Sequence, residues 1–214
     1  MSVAECMKNA FFITIDKNRA NAFTALFNAY RFSPLPRAFY GCVDAKIHIK
    51  QRCKQSHINV VKHAKKHNLP YVFIFEDDAY PCIDAVKVFE RYLYAMPYDA
   101  NLILFGWCNC TKNGTQTFAK PFNRIKTPTI SGAHAYMLFK SGYDQYLHFF
   151  ETNENAYADN DVFYAISNSY IVNYPIFIQY SSSTSMNNHI GYIFYGDHPT
   201  PPKRFKALLK ESKK

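Results

Sequence analysis

Two periods of apolar residues alternate along the chain. Residues 10–16 form an apolar run ending in Asp16, and 18–30 follow at helical spacing through Ala22, Leu26 and Ala29. A short strand is expected over 38–43, after Pro34 and Pro36. Residues 52–67 read as a helix with Cys53, Val60, Val61 and Ala64 toward the core, stopped by Asn68-Leu69-Pro70. Next comes Tyr71-Val72-Phe73-Ile74-Phe75, five apolar or aromatic residues running unbroken into Glu76-Asp77-Asp78. A helix carrying Ile83, Val86, Phe89, Leu93 and Met96 then runs from Pro81 to Pro97, and 101–107 is another buried strand. Residues 106–128 are polar and irregular, long enough for a mobile active-site loop. Residues 134–139 form a strand leading to Ser141, the expected cap of a helix through Phe150. Asp161 opens a short helix toward Asn168, and 170–180 is a final apolar strand interrupted by Pro175.

Strand followed by helix, repeated, predicts an α/β sandwich: a mostly parallel, mixed sheet flanked by helices in a single Rossmann-like domain. That domain is expected over residues 1–185, with a C-terminal extension over 186–214. No G-x-G-x-x-G or G-K-[ST] loop occurs, which argues against a dinucleotide or P-loop phosphate site.

The apolar-to-acidic run carries the candidate chemistry. In open α/β sheets, ligands bind outside the carboxyl ends of the strands, and this strand delivers three acids there. Adjacent carboxylates repel, and no Lys or Arg lies nearby in sequence, so the run predicts a bound cation. On an extended backbone Glu76 and Asp78 share a face while Asp77 points away. Carboxylate oxygens suit Mg²⁺ or Mn²⁺, which fill their remaining positions with water and substrate phosphates. The plainer alternative is a solvated acidic turn.

Charge widens the picture. The chain carries 25 Lys and Arg against 16 Asp and Glu, a formal +9 over 214 residues, and so favours an anionic partner. Basic runs do not interleave with aromatics, which ranks nucleic acid low and leaves a nucleotide-linked substrate or an anionic membrane surface. The densest basic cluster, 203–214, reads either as an amphipathic helix on an anionic leaflet or as a frayed solvated terminus. The N-terminus has no apolar leader segment and no run reaches membrane-spanning length, so a cytoplasmic protein, peripheral at the inner membrane face, is expected. Six scattered cysteines, with one C-x-C pair at Cys108 and Cys110, make a poor metal signature, and free thiols in a reducing compartment account for them. Phe 19 and Tyr 17 are many, and Tyr faces suit sugar stacking.

Several segments together resemble glycosyltransferase family 25: Ile13-Thr14-Ile15-Asp16 with Arg19, Gln51 to His57, Phe75-Glu76-Asp77-Asp78, Ser131-Gly132-Ala133-His134-Ala135-Tyr136 and Asp159-Asn160-Asp161. The match in order and spacing spans roughly 11–185. That family contains lipopolysaccharide and lipooligosaccharide glycosyltransferases and is related to the collagen galactosyltransferases. The chain departs from its usual pattern at Arg52, where many members have glycine, and in a brief segment around Asp44.

The resemblance implies a GT-A fold, a UDP-sugar donor, commonly UDP-galactose, a divalent metal (Mn²⁺ or Mg²⁺), inversion at the anomeric carbon and a glycan acceptor. It puts Glu76 and Asp78 on the metal, and Asp16, Arg19, Ser56, His57, Asp77 and His134 around the donor. Inversion needs a base for the acceptor hydroxyl, and Asp161 or Asp159 is the candidate. A helix cap explains Asp161 equally well. His134 completes the metal shell, touches a sugar or satisfies a backbone carbonyl; His189 is a later metal or diphosphate candidate. Trp107 reads as core packing before acceptor stacking. Two other classes remain open, a catalytically silent glycosyltransferase-like module and a metal-dependent phosphohydrolase.

Overall fold

The computed structural model describes residues 1–107, 109–110, 121–126, 130–158 and 161–179. The order is α1 (Val3–Met7), β1 (Ala10–Thr14), α2 (Lys17–Ala29), β2 (Arg37–Tyr40), α3 (Ile49–Lys66), β3 (Tyr71–Glu76), β4 (Ala79–Pro81), α4 (Ala85–Tyr94) and β5 (Leu102–Gly106). Then follow β6 (Asn109–Cys110), β7 (Phe122–Arg124), β8 (Ile130–Ser131), β9 (Ala135–Phe139), α5 (Tyr143–Thr152), α6 (Asp161–Ala165), β10 (Ser169–Val172) and β11 (Phe177–Gln179). β6 and β8 pair with each other apart from the main sheet.

Among the described residues the main sheet has nine strands in the order β2-β1-β3-β9-β5-β10-β7, with β11 joining β5 to β4. β2, β1, β3, β5, β10 and β11 run one way, six of the nine, while β9, β7 and β4 oppose them. This is the expected open α/β sandwich. α1, α2 and α4 cover one face through Met7, Phe23, Phe27, Phe89 and Leu93. α3, α5 and α6 cover the other through Val60, Val61, Ala64, Tyr146, Phe150 and Phe163.

Local chemistry sets the helix starts. Ser2 and Glu5 form a reciprocal capping box for α1. Asp16 caps α2, its Oδ1 accepting from the Asn18 and Arg19 amides at 2.7 and 2.9 Å. α3 begins at Ile49, three residues before the expected start, because His48 Nδ1 accepts from the Lys50 amide at 3.3 Å.

Four expectations are corrected. Ser141 caps no helix: it lies in a 3₁₀ turn, Lys140–Gly142, and its hydroxyl donates to Asn101 Oδ1 at 2.5 Å. The run over 170–180 is two strands, since Pro175 has no N–H for the ladder and the chain leaves β10 to pair β11 with β4. Ile83, expected on the helix after Pro81, lies before it and is exposed, because α4 starts only at Ala85. Within 106–128, β7 pairs antiparallel with β10, so that stretch is not all irregular; 111–120 lie outside the described residues. Among the described residues no helix is long and apolar enough to cross a membrane.

Strand order reverses at β1: β2 is added on one side through α2, and β3 on the other through α3 on the opposite face. From the carboxyl ends of β1 and β3 the chain goes on toward opposite edges of the sheet, to β2 and to β5, and ligands of open α/β sheets usually bind at such a reversal.

Candidate functional site

Alternation along β3 distributes its carboxylates. Val72 and Ile74 face α3, while Phe73 and Phe75 face α2 and α4. Glu76 continues the first series and reaches α3, where its Oε1 lies 3.1 Å from His57 Nε2 and 3.8 Å from Cys53 Sγ. Asp77 continues the second and accepts from Thr14 Oγ1 at 2.6 Å and from the Arg19 guanidinium. The acidic run therefore does have a basic partner, one that 58 positions of sequence separation concealed. Asp78 turns inward toward β11, where the Gln179 amide donates to Asp78 Oδ2 at 3.1 Å and to Glu76 Oε2 at 3.4 Å. Glu76 and Asp78 thus meet at one donor while Asp77 points elsewhere.

The backbone of this turn is pinned on both sides. The Glu76 amide donates to the His134 carbonyl at 3.0 Å and the Asp77 amide to the Ile13 carbonyl at 3.1 Å. His134 Nε2 lies 3.0 Å from the Phe177 carbonyl, which accepts only, so this nitrogen carries the proton. Satisfying a backbone carbonyl is thus one of the roles weighed for His134 that its ring performs. Gly106 makes room for that ring: a Cβ there would stand 2.5 Å from His134 Nε2.

The carboxyls differ electrostatically. Burial pushes Glu76 up, but the hydrogen bond and charge of His57 outweigh it and hold the group below its ordinary value. Burial, then the Glu76 charge, push Asp78 well above the usual carboxylate range. Burial also raises Asp77 against the pull of Thr14 and Arg19. Asp78 is only 9% exposed, and its Oδ1 is buried without a hydrogen-bond partner among the described residues. An unpartnered buried carboxylate oxygen beside a second carboxylate is the donor set a hard divalent cation takes, so the residues fit Mn²⁺ or Mg²⁺.

The other expected site residues divide. Asp16 and Arg19 sit just past the carboxyl end of β1, Asp16 occupied as a helix cap and Arg19 with Asp77. Ser56 ties the chain after β2 to α3, accepting from the Cys42 amide at 2.9 Å and donating to the Arg52 carbonyl at 2.7 Å. Asp161 begins α6 and accepts from the Tyr157 amide at 3.1 Å. Its segment folds over the first turns of α3, where Lys54 and Gln51 donate to the Glu154 carbonyl and Lys50 lies over the Tyr157 ring. That is the face Glu76 reaches. Trp107 donates its indole N–H to the Val172 carbonyl at 3.1 Å and packs against both cores. Asp159, His189 and the basic tail lie outside the described residues.

Sequence reading missed Gln179, Cys53 and Tyr136 as site neighbours. Tyr136 Oη lies 2.9 Å from His57 Nδ1 and 3.1 Å from Tyr146 Oη, a buried chain running into the core. The signal for Cys53 was present: Cys53 and His57 are four apart on a helix and share a face. Gln179 gave none, because only the β4–β11 pairing brings it to the acids.

Comparison of the chain with protein-family models finds no match, and comparison with curated proteins finds none either.

Proposed function

We propose that this chain is a metal-dependent glycosyltransferase that moves a hexose, galactose on the family resemblance, from a UDP-sugar to a glycan such as lipopolysaccharide or lipooligosaccharide, with inversion. The observation that carries this reading is the buried Asp78 Oδ1, unpartnered among the described residues, beside Glu76 at the sheet edge where β1 and β3 end. Asp78 and Glu76 would hold Mn²⁺ or Mg²⁺, which when bound offsets the charge developing on a diphosphate leaving group. Gln179 orients both carboxylates, and Arg19 with Thr14 keeps Asp77 turned toward α2. Asp161, on the Glu76 side of the sheet, is the candidate to accept the acceptor hydroxyl proton. A +9 chain acting on a nucleotide sugar at an anionic cytoplasmic leaflet fits this assignment.

The test is calorimetric binding of UDP with and without Mn²⁺, followed by a nucleotide-sugar turnover screen. UDP binding should require the metal. Asp78→Asn should lower turnover by about a thousandfold or more while leaving the thermal melt intact. Near wild-type turnover in that variant refutes the metal assignment. The Arg19–Asp77 pair and the Gln179 bridge also satisfy the acid oxygens other than Asp78 Oδ1 internally, which favours the silent-module reading over the hydrolase. UDP binding indifferent to metal would select that module.

A further inference from the structure

We propose that Cys53, His57 and Glu76 form a binding site for a zinc ion, distinct from the hard-cation site assigned to Asp78. Cys53 and His57 lie one helical turn apart on α3, and Glu76 reaches them from the tip of β3. Cys53 Sγ, His57 Nε2 and Glu76 Oε1 all lie within 4.8 Å of one another. Two of the separations are 3.1 Å (His57 to Glu76) and 3.8 Å (Cys53 to Glu76). Tetrahedral zinc, with bonds of about 2.3 Å to sulfur and about 2.0–2.2 Å to nitrogen or oxygen, sets its ligand atoms roughly 3.4–3.6 Å apart. The three atoms need to shift only slightly to surround one ion.

The ligand chemistry selects the metal. A thiolate and an imidazole suit zinc and are poor donors for Mg²⁺ or Mn²⁺. The surroundings are those of a metal-binding histidine: His57 is fully buried, and its second nitrogen meets the Tyr136 hydroxyl, itself bonded to Tyr146. Such an outer partner fixes the ring and its tautomer. Zinc requires the Nε2 lone pair, so the ring proton sits on Nδ1 and is donated to Tyr136, whose own hydroxyl turns toward Tyr146. Loading therefore displaces the Nε2 proton that Glu76 accepts, leaves a ring proton on Nδ1 facing Tyr136, and releases the Cys53 thiol proton to solvent. The Glu76 side chain remains 19% exposed, which leaves an entry route and a fourth position for water. Its two oxygens serve different neighbours, Oε1 facing Cys53 and His57 and Oε2 facing Gln179.

The experiment titrates the untagged full chain with Co²⁺, reads the near-ultraviolet thiolate-to-cobalt absorption and then displaces cobalt with Zn²⁺. Wild type should show the band at one equivalent and lose it to one equivalent of zinc. Cys53→Ser should lack the band, and His57→Gln should bind zinc about 100-fold more weakly or worse. Tyr136→Phe keeps all three ligands, so it should keep the band with affinity about tenfold lower. Absence of the band in wild type, its survival in Cys53→Ser, or undiminished zinc affinity in Tyr136→Phe each overturns the site. Should Cys53→Ser fail to fold, the wild-type and Tyr136→Phe results still decide. Asp78→Asn should retain the band while losing Mn²⁺-dependent UDP binding, which separates failure of this site from failure of the proposed transferase reading.

Discussion

The two faces of the sheet are built from the same strands and hold together differently. On the α2 and α4 face, Phe12, Phe23, Phe27, Phe73, Phe75, Phe89, Phe105 and Phe177 pack ring to ring, with centroids such as Phe23–Phe27 at 4.1 Å and Phe73–Phe75 at 4.2 Å. On the α3 and α5 face, aliphatic side chains with Phe150 and Phe163 surround a buried polar thread, Tyr146 to Tyr136 to His57 to Glu76, that ends at the carboxyl end of β3. The first face is a non-directional apolar layer, stable through buried area and tolerant of modest reshaping. The second is directional: each buried polar atom needs its partner, and the thread fixes where Glu76 points. Parity along β3 assigns the two jobs, Phe73 and Phe75 to the first face and Glu76 to the second.

The contrast breaks most sharply at Phe73. Its ring contacts Phe75, Phe89, Phe105 and Phe177, and it is fully buried. Phe73→Ala should cost about 3–5 kcal/mol by urea denaturation. A cost below about 1 kcal/mol would mean that this layer is not the stabilising half of the molecule.

Tyr136→Phe tests the polar thread at almost constant volume. It leaves His57 Nδ1 and Tyr146 Oη each one partner short in a buried setting, an expected loss of about 1–3 kcal/mol. If the loss equals that of Phe73→Ala, the thread stabilises the fold as much as the phenylalanine layer does. If the variant is neutral, water or rearrangement replaces the hydroxyl and the thread is not directional.

Legibility follows the same division. Apolar runs announced β1, β3, β5 and β9, and helical spacing announced α2, α3 and α4, because burial on one or both faces writes a local period. What the chain does at long range was not written locally. Nothing in 134–139 tells that β9 runs against both neighbours, nor that β4 pairs with β11 nearly a hundred positions away. The Ser2 and Glu5 capping box of α1 was readable and went unread. In the site, the acids, His57 and Arg19 were recognisable as residues. The Arg19–Asp77 pair, the Gln179 bridge and the Tyr136 contact depend on strand pairing and packing that periodicity does not encode.

The smallest expected effect separates the faces by pH. His63 on α3 packs edge-on against Phe11 at 5.3 Å and Phe39 at 5.9 Å, and burial, then the charges of His67, Arg37 and Lys66, hold its pKa below the ordinary histidine value. A histidine depressed in the fold is favoured neutral, so its contribution is full above the unfolded value of about 6.5 and is lost as pH falls through that value toward the folded one. Because His63 is only partly buried, solvent screening keeps the effect below about 0.5 kcal/mol. Urea midpoints at pH 7.5 and 5.0 should fall less in His63→Gln than in wild type, whereas Phe73→Ala should shift both midpoints equally. An unchanged acid slope in His63→Gln would show that His63 does not set the acid sensitivity of this face, and an altered slope in Phe73→Ala would show that the faces do not act separately.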